Sequence, residues 1–140
     1  MPKMGTETIL VVDDAEVIRK MVCIVLAQAG YRCLEAADGI AALRLLEGAR
    51  DGVNLMLTDI TMPGMNGAEL ARRVGDSMPH VRILFMSGHA DDPAMRTVAR
   101  MTALFLAKPF TIQELTEKVR CALDRPWRGV RTGQQSSTAY

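Results

Sequence analysis

The chain has 140 residues, a length that suits one domain able to bury a core without disulfide or metal staples. Its apolar fraction of 49% and charged fraction of 24% are ordinary for a globular protein, and a net charge of +1 creates no overall field to attract nucleic acid or an anionic membrane. No apolar run reaches the roughly 18 residues that a membrane span needs, and the N-terminus lacks the apolar core of a signal peptide. Cys23, Cys33 and Cys121 show no metal-ligand spacing and lie among apolar neighbours, so we expect core thiols in a reducing, cytoplasmic setting.

Five short apolar runs along the chain predict β-strands. Four of them are nearly continuous in apolar residues, as in a parallel sheet covered on both faces, whereas the second alternates and suits a strand nearer an edge. The runs span residues 8–12, 31–36, 54–58, 82–86 and 103–107.

Segments of helical periodicity separate these runs. In the first segment, Ile18, Met21, Val22 and Val25 recur at the spacing of one helical face, so we expect that face to meet the core. Glycines predict that the first three helices end at or near Gly30, Gly48 and Gly75.

Polar side chains predict where the remaining helices begin. Asp38 and Asn66 are suited to cap the second and third helices, and Thr111 with Glu114 forms a capping box for the fifth. Pro93 follows two aspartates and suits the first turn of the fourth helix.

The alternation of strands and helices predicts an α/β fold. Right-handed crossovers give a doubly wound parallel sheet with helices on both faces, spanning residues 7–124 after an extension of residues 1–6. Residues 125–140 are rich in Pro, Gly and polar side chains and predict a flexible C-terminal tail, in which Trp127 and Val130 are the residues able to dock on the body.

Polar residues close four of the five predicted strands. Asp13 and Asp14 follow the first strand, Asp59 the third, Ser87 the fourth and Lys108 the fifth. Because the carboxyl ends of parallel strands meet at one edge of the sheet, where ligands bind in such folds, we expect these side chains to gather there. The alternative is that each is an ordinary helix cap or loop residue.

The three carboxylates repel one another, by about 4 kcal/mol for a pair 4 Å apart at an effective dielectric near 20, so nearby positive charge is needed to stabilise them. A hard divalent cation such as Mg²⁺ and the ammonium of Lys108 would supply it. A carboxylate beside Mg²⁺, a lysine and a hydroxyl is equipped to attack phosphorus, and Asp59 on the middle strand is the best-placed nucleophile.

These residues resemble the receiver domain of two-component response regulators. The resemblance rests on VVDD, TDITMPGMNG, MSGHA and LAKPF, which begin at residues 11, 58, 86 and 106, and it covers residues 7–124. It implies a (βα)5 flavodoxin-like fold with strand order 2-1-3-4-5. It also implies that a histidine kinase or a histidine phosphotransfer domain passes a phosphoryl group to Asp59, as in single-domain chemotaxis-type regulators or hybrid kinase receivers.

The same resemblance assigns a metal site. Asp14, Asp59 and the backbone carbonyl of Thr61 are expected to bind Mg²⁺ directly, with Asp13 acting through water and Mn²⁺ as an alternative ion. Lys108 and Ser87 are expected to contact the phosphoryl group, and the peptide bond from Lys108 to the following proline is expected to be cis.

The resemblance also implies a switch. When the phosphoryl group draws in Ser87, an aromatic on the fifth strand, here Phe105, rotates inward and changes protein contacts through the face of the fourth helix, fifth strand and fifth helix. Phe105 lacks the hydroxyl of the tyrosine that is frequent in the family, so a weaker switch is expected.

Thr61 and His89, each two residues beyond a site residue, are expected to tune the lifetime of the phosphorylated state. Because histidine titrates near neutral pH, we expect phosphate release from the phosphorylated protein to be pH-dependent through His89. The rate and pH profile of phosphate release from His89→Ala test this expectation, and an unchanged profile removes it.

Two other functions remain open on the sequence alone. A phosphate-independent pseudo-receiver would bind partners without taking phosphate, and an Mg²⁺-dependent aspartyl phosphohydrolase would need a general acid where Thr61 stands. For the receiver reading we expect a protein that catalyses only its own phosphorylation and dephosphorylation. Its downstream target is a protein that the sequence does not identify, and no direct DNA binding or membrane insertion is expected.

Overall fold

The structure is a computed structural model that describes residues 7–49, 52–88, 93, 96–98 and 104–129. The strands are β1 Thr8–Val12, β2 Arg32–Ala36, β3 Leu55–Asp59, β4 Arg82–Ser87 and β5 Phe105–Ala107. The helices are α1 Glu16–Gln28, α2 Gly39–Gly48 and α3 Gly67–Ser77, then α4, of which residues 93 and 96–98 are described, and α5 Ile112–Asp124.

The strands form one parallel sheet in the order β2-β1-β3-β4-β5, as expected. The alternating strand, β2, lies at an edge, whereas β3 lies at the centre and is buried along its whole length. A strand with neighbours on both sides and helices on both faces has no solvent-facing side, which is why its sequence is continuously apolar up to its last residues.

Successive residues of each strand supply opposite faces of the core. Ile9 and Val11 of β1 pack with buried residues of α1 and α5, whereas Leu10 and Val12 pack with buried residues of α2 and α3. The sheet therefore separates two layers, one formed by α1 and α5 and the other by α2, α3 and the described part of α4.

The buried face of α1 differs from the one expected. Met21 is 43% exposed and Ile18 is only partly buried, whereas Cys23 and Leu26 join Val22 and Val25 in the core. This helix carries apolar residues around most of its circumference, which form two overlapping stripes. Which stripe is buried depends on how the helix is rotated against β1 and β2.

Caps fix most helix starts where the sequence placed them. The side chains of Asp38, Asn66 and Thr111 accept hydrogen bonds from backbone N–H groups three residues on, and Glu114 completes the capping box. Gly30 ends the first helical segment with a φ of 100°, a conformation that favours glycine. The third helix, however, continues past Gly75 to Ser77.

The described part of the expected tail lies against the body. The indole N–H of Trp127 donates to the carbonyl oxygen of Pro79 at 2.9 Å, and its ring packs against the α2–α3 layer. Arg82 at the start of β4 donates to the carbonyls of Ala122, at 3.0 Å, and Arg125. Docking of Trp127 is thus observed, whereas Val130 and the residues after it lie outside the described ranges. None of the helices described is long and apolar enough to cross a bilayer.

Candidate functional site

The carboxyl ends of the strands bring the expected side chains to one edge. Asp13 follows β1, Asp59 ends the neighbouring β3, Ser87 ends β4, and Lys108 follows β5. The backbone N–H of Lys108 donates to the carbonyl of Ser87 at 2.7 Å, which extends the ladder by one residue past the strand. The Lys108–Pro109 peptide is cis, as expected.

Three carboxylates converge at this edge. One oxygen from each of Asp13, Asp14 and Asp59 lies within 4.8 Å of the others. Asp13 is completely buried and Asp59 is 8% exposed, whereas Asp14 is open to solvent. The cluster is thus buried on one side and accessible on the other, which suits a group that enters from solution.

Lys108 bridges the two buried carboxylates. Its Nζ lies 2.9 Å from Asp13 Oδ2 and 3.3 Å from Asp59 Oδ2. Burial acts to lower the pKa of Lys108, but the hydrogen bond to Asp13 and the charge of Asp59 outweigh it and hold the pKa above its ordinary value. The side chain is therefore a fixed ammonium at neutral pH.

The negative charge of Asp59 is only partly offset by its neighbours. Burial raises the pKa of its carboxyl above the ordinary value, and the negative charge of Asp13 adds to this effect, while Lys108 opposes it. One lysine shared between two buried carboxylates leaves a net negative charge, and the Asp14 carboxylate increases it. Additional positive charge at this edge is therefore electrostatically favourable.

The donor set fits a hard divalent cation. All three groups offer carboxylate oxygens, which Mg²⁺ prefers, and the exposure of Asp14 leaves room for the waters that this ion retains. Asp13 is the least free of the three, because its Oδ1 accepts from the Ala15 N–H at 2.9 Å and its Oδ2 accepts from Lys108.

Arg19 is a residue of this region that the sequence did not single out. Its Nη1 donates to the backbone carbonyl of Asp13 at 2.9 Å, and its Nε donates to Glu35 of β2 at 3.0 Å. The hydrogen bond from Arg19 holds the pKa of Glu35 below its ordinary value. Arg19 thus ties the loop carrying Asp13 to the edge strand, and its position one turn into α1 after the acidic pair is the only sequence signal.

Gly67 sets how closely α3 approaches the end of β3. Its N–H donates to the Ile60 carbonyl at 2.7 Å, and a Cβ at this position would lie 2.2 Å from the backbone oxygen of Asp59. Backbone cannot yield as a flexible side chain can, so a larger residue would displace Asp59. The sequence of this segment predicts only that Asn66 caps α3, and the structure confirms that cap.

The remaining predicted residues are placed differently from one another. Ser87 is buried, Thr61 is exposed two residues beyond Asp59, and Phe105 is partly buried against the α2–α3 layer beside its ladder partner Phe85. His89 lies outside the described residues, so its role stays a prediction. Of the cysteines, Cys23 is buried and Cys33 partly so, but Cys121 is exposed on α5, contrary to expectation.

The doubly wound sheet and the acidic cluster at its carboxyl edge define an α/β protein whose candidate site lies where ligands bind in such folds. Comparison with known proteins identifies its family. Residues 9–120 match the model of the response regulator receiver domain, and the chain belongs to this family.

Individual relatives differ greatly in length. The chain is 32% identical over 122 residues to sensor kinase CckA of Brucella abortus, covering 86% of this chain but 13% of that protein. It is 32% identical over 118 residues to sporulation initiation phosphotransferase F of Bacillus subtilis, covering 84% of this chain and 94% of that one. A response regulator receiver domain protein from Clostridium thermocellum has a similar structure, with a TM-score of 0.77 and 28% identity over 85% of this chain and 95% of that one.

We expect Asp59→Asn to stabilise the protein in the absence of divalent cations. Because burial raises the pKa of Asp59, its ionised form destabilises the fold at neutral pH, and removing the charge should raise the free energy of unfolding by about 1 kcal/mol at pH 7. The advantage should disappear as the pH falls through the raised pKa towards 3.8, the ordinary value, because wild-type Asp59 is then neutral too.

Thermal unfolding with a chelator across this pH range measures the effect. Asp76→Asn is the control, since Asp76 is exposed on α3. Equal stability of wild type and Asp59→Asn at pH 7 would contradict the electrostatic assignment.

Proposed function

We propose that this chain accepts a phosphoryl group on Asp59 from a phosphohistidine and relays the change through protein contacts. The observation that carries the proposal is the Lys108 ammonium held between Asp13 and Asp59 at the carboxyl edge of the sheet. A carboxylate oxygen of Asp59 forms the new bond to phosphorus. The bond from phosphorus to the donor imidazole breaks, and that nitrogen leaves with the electron pair.

The chain's own groups suit this transfer. Lys108 is close enough to Asp59 for its ammonium to neutralise charge on a phosphoryl oxygen, and the Ser87 hydroxyl is proposed to donate to another. Burial of Asp59 restricts its hydration, which leaves its oxygen less tightly solvated for attack. On this proposal the chain acts only on itself, by accepting and later losing the group.

The proposed site binds Mg²⁺, or alternatively Mn²⁺. Its direct ligands are Asp14, Asp59 and the Thr61 carbonyl, and Asp13 acts through water. The bound ion supplies positive charge that offsets both the carboxylates and the phosphoryl oxygens. The exposed position of Asp14 supports this assignment, because it is the carboxylate that an ion arriving from solution meets first.

The proposed output is the face formed by α4, β5 and α5. Phosphorylation adds a charge of about −1.5 to −2 beside Ser87, whose ladder partner Ala107 lies on the same strand as Phe105. Phe105 is partly buried, and the proposed switch turns its ring further inward. A shift between the two would change this face without a change of fold.

We expect acetyl phosphate with Mg²⁺ to add one phosphoryl mass to the wild-type chain and none to Asp59→Ala. Lys108→Ala should slow the reaction by about 100-fold, as expected for loss of one preorganised donor, whereas Lys118→Ala on α5 should react normally. Intact mass after acid quenching measures both. A persistent phosphoryl group in Asp59→Ala would contradict the choice of acceptor, and rapid turnover of external phosphomonoesters would favour a phosphohydrolase.

The α1–α5 layer offers a surface for the phosphohistidine donor. Val17, Met21 and Ile24 are exposed at i, i+4 and i+7 of α1, and Ile112 is exposed in the first turn of α5. Both helices begin at the acidic edge, so an apolar helical donor packed on them would bring its imidazole to Asp59.

We expect Ile24→Ser to slow phosphoryl transfer from a histidine phosphotransfer protein by about tenfold, a loss typical of one interface side chain. Transfer from acetyl phosphate should be unchanged. Ile40→Ser on α2 is the matched control, because Ile40 is 59% exposed against 60% for Ile24 but lies in the opposite layer. An equal loss in both variants would contradict this surface.

A further inference from the structure

Two of the cysteines form a pair that phosphoryl acceptance does not use. Cys23 of α1 and Cys33 of β2 belong to the same apolar cluster between the sheet and the α1–α5 layer, and the two thiols are close enough for each to shift the pKa of the other. Cys23 is buried, whereas Cys33 is partly exposed. The result is a dithiol with one member that solutes can reach.

The geometry of α1 against β2 explains why the pair meets. The helix runs antiparallel to the strand, and Arg19 near its start contacts Glu35 near the end of the strand at 3.0 Å. Cys23 lies four residues further along the helix, a rise of about 6 Å. Cys33 lies two residues back along the strand, about 6.6 Å, on the same face as Glu35. The nearly equal steps from the ion pair place Cys23 and Cys33 at the same level of the contact between α1 and β2, and both side chains belong to the same apolar cluster.

The thiols differ in chemical role. The interaction between the two thiols holds the pKa of Cys33 below its ordinary value, while that interaction and burial raise the pKa of Cys23. Cys33 is therefore the thiol that ionises first, and it is also the more accessible one. A partly exposed thiolate beside a second thiol is the arrangement of an oxidisable pair.

We propose that Cys23 and Cys33 form a redox-modification site that a hydroperoxide converts to an intramolecular disulfide. The Cys33 thiolate attacks one peroxide oxygen, the O–O bond breaks, and Cys33 becomes a sulfenic acid as the peroxide is reduced to an alcohol, or to water from hydrogen peroxide. The Cys23 sulfur then attacks the Cys33 sulfur, and water leaves with the Cys23 proton. Two thiols are oxidised by two electrons, and one peroxide is reduced.

The disulfide would join α1 to the edge strand one helical turn from Arg19. The proposal does not depend on phosphoryl acceptance, because neither thiol belongs to the acidic edge.

Hydrogen peroxide applied to the Cys121→Ser chain tests the site, since this background removes the exposed third thiol. After unfolding in an alkylating agent, the oxidised chain should remain a monomer, lose the mass of two hydrogen atoms, and take up no alkyl group. Trypsin cleaves at Arg32, between the two cysteines, so the disulfide should join two separate peptides, residues 21–32 and 33–44. Dithiothreitol should restore both thiols.

The native fold should make this reaction about tenfold faster than in the guanidinium-unfolded chain, because only the folded protein pairs the thiols and activates Cys33. A sulfenic acid trap should label Cys33 in Cys23→Ser and leave Cys23 unlabelled in Cys33→Ser. Equal rates in native and unfolded chains, a sulfinic acid at Cys33 without a cross-link, or full alkylation of both thiols after peroxide treatment would each overturn the proposal.

Discussion

The ion pairs that join Lys108 to Asp13 and Asp59 are the interaction on which the carboxyl edge of this protein depends. Two carboxylates at the ends of neighbouring strands lose most of their hydration, and a buried charge without a partner is costly. Lys108 follows β5, which β4 separates from β3, so its side chain reaches across the end of β4 to make these contacts. The compensation is therefore possible only when β1, β3, β4 and β5 are assembled in this order.

The compensation is also incomplete, and this gives the site its capacity for change. A single ammonium cannot balance three carboxylates, and burial together with the charge of Asp13 raises the pKa of Asp59 despite Lys108. A site balanced in full would have no affinity for further positive charge. The residual negative charge favours a divalent cation, and the proposed phosphoryl group would alter the same balance. Stability and function are thus coupled through one small group of charges.

The sequence predicted the parts of the structure that depend on local pattern and topology. Polar residues closing apolar strands placed Asp13, Asp59 and Lys108 at one edge, because parallel strands leave no other arrangement. It did not predict contacts that depend on how neighbouring elements are rotated or spaced. Arg19 reaches the Asp13 carbonyl only through the packing of α1 on β2, and the role of Gly67 arises from the approach of α3 to β3.

The errors have the same origin. Met21 was expected in the core because α1 carries apolar residues on two overlapping stripes, and periodicity cannot choose between them. Trp127, by contrast, was named as a residue able to dock on the body, and its indole N–H does donate to the Pro79 carbonyl before β4. Met21 belongs instead to the exposed apolar surface of α1, a helix that begins at the acidic edge.

The most direct measurement is an NMR titration of the Asp59 carboxyl carbon with and without Mg²⁺. Without the ion, we expect the pKa to lie above 3.8, the ordinary aspartate value, because of burial and the neighbouring Asp13 charge. Addition of Mg²⁺ should lower it, since a bound cation favours the ionised carboxylate. A carboxyl that titrates at its ordinary value and does not respond to Mg²⁺ would contradict the account of a partly compensated, metal-binding acidic edge.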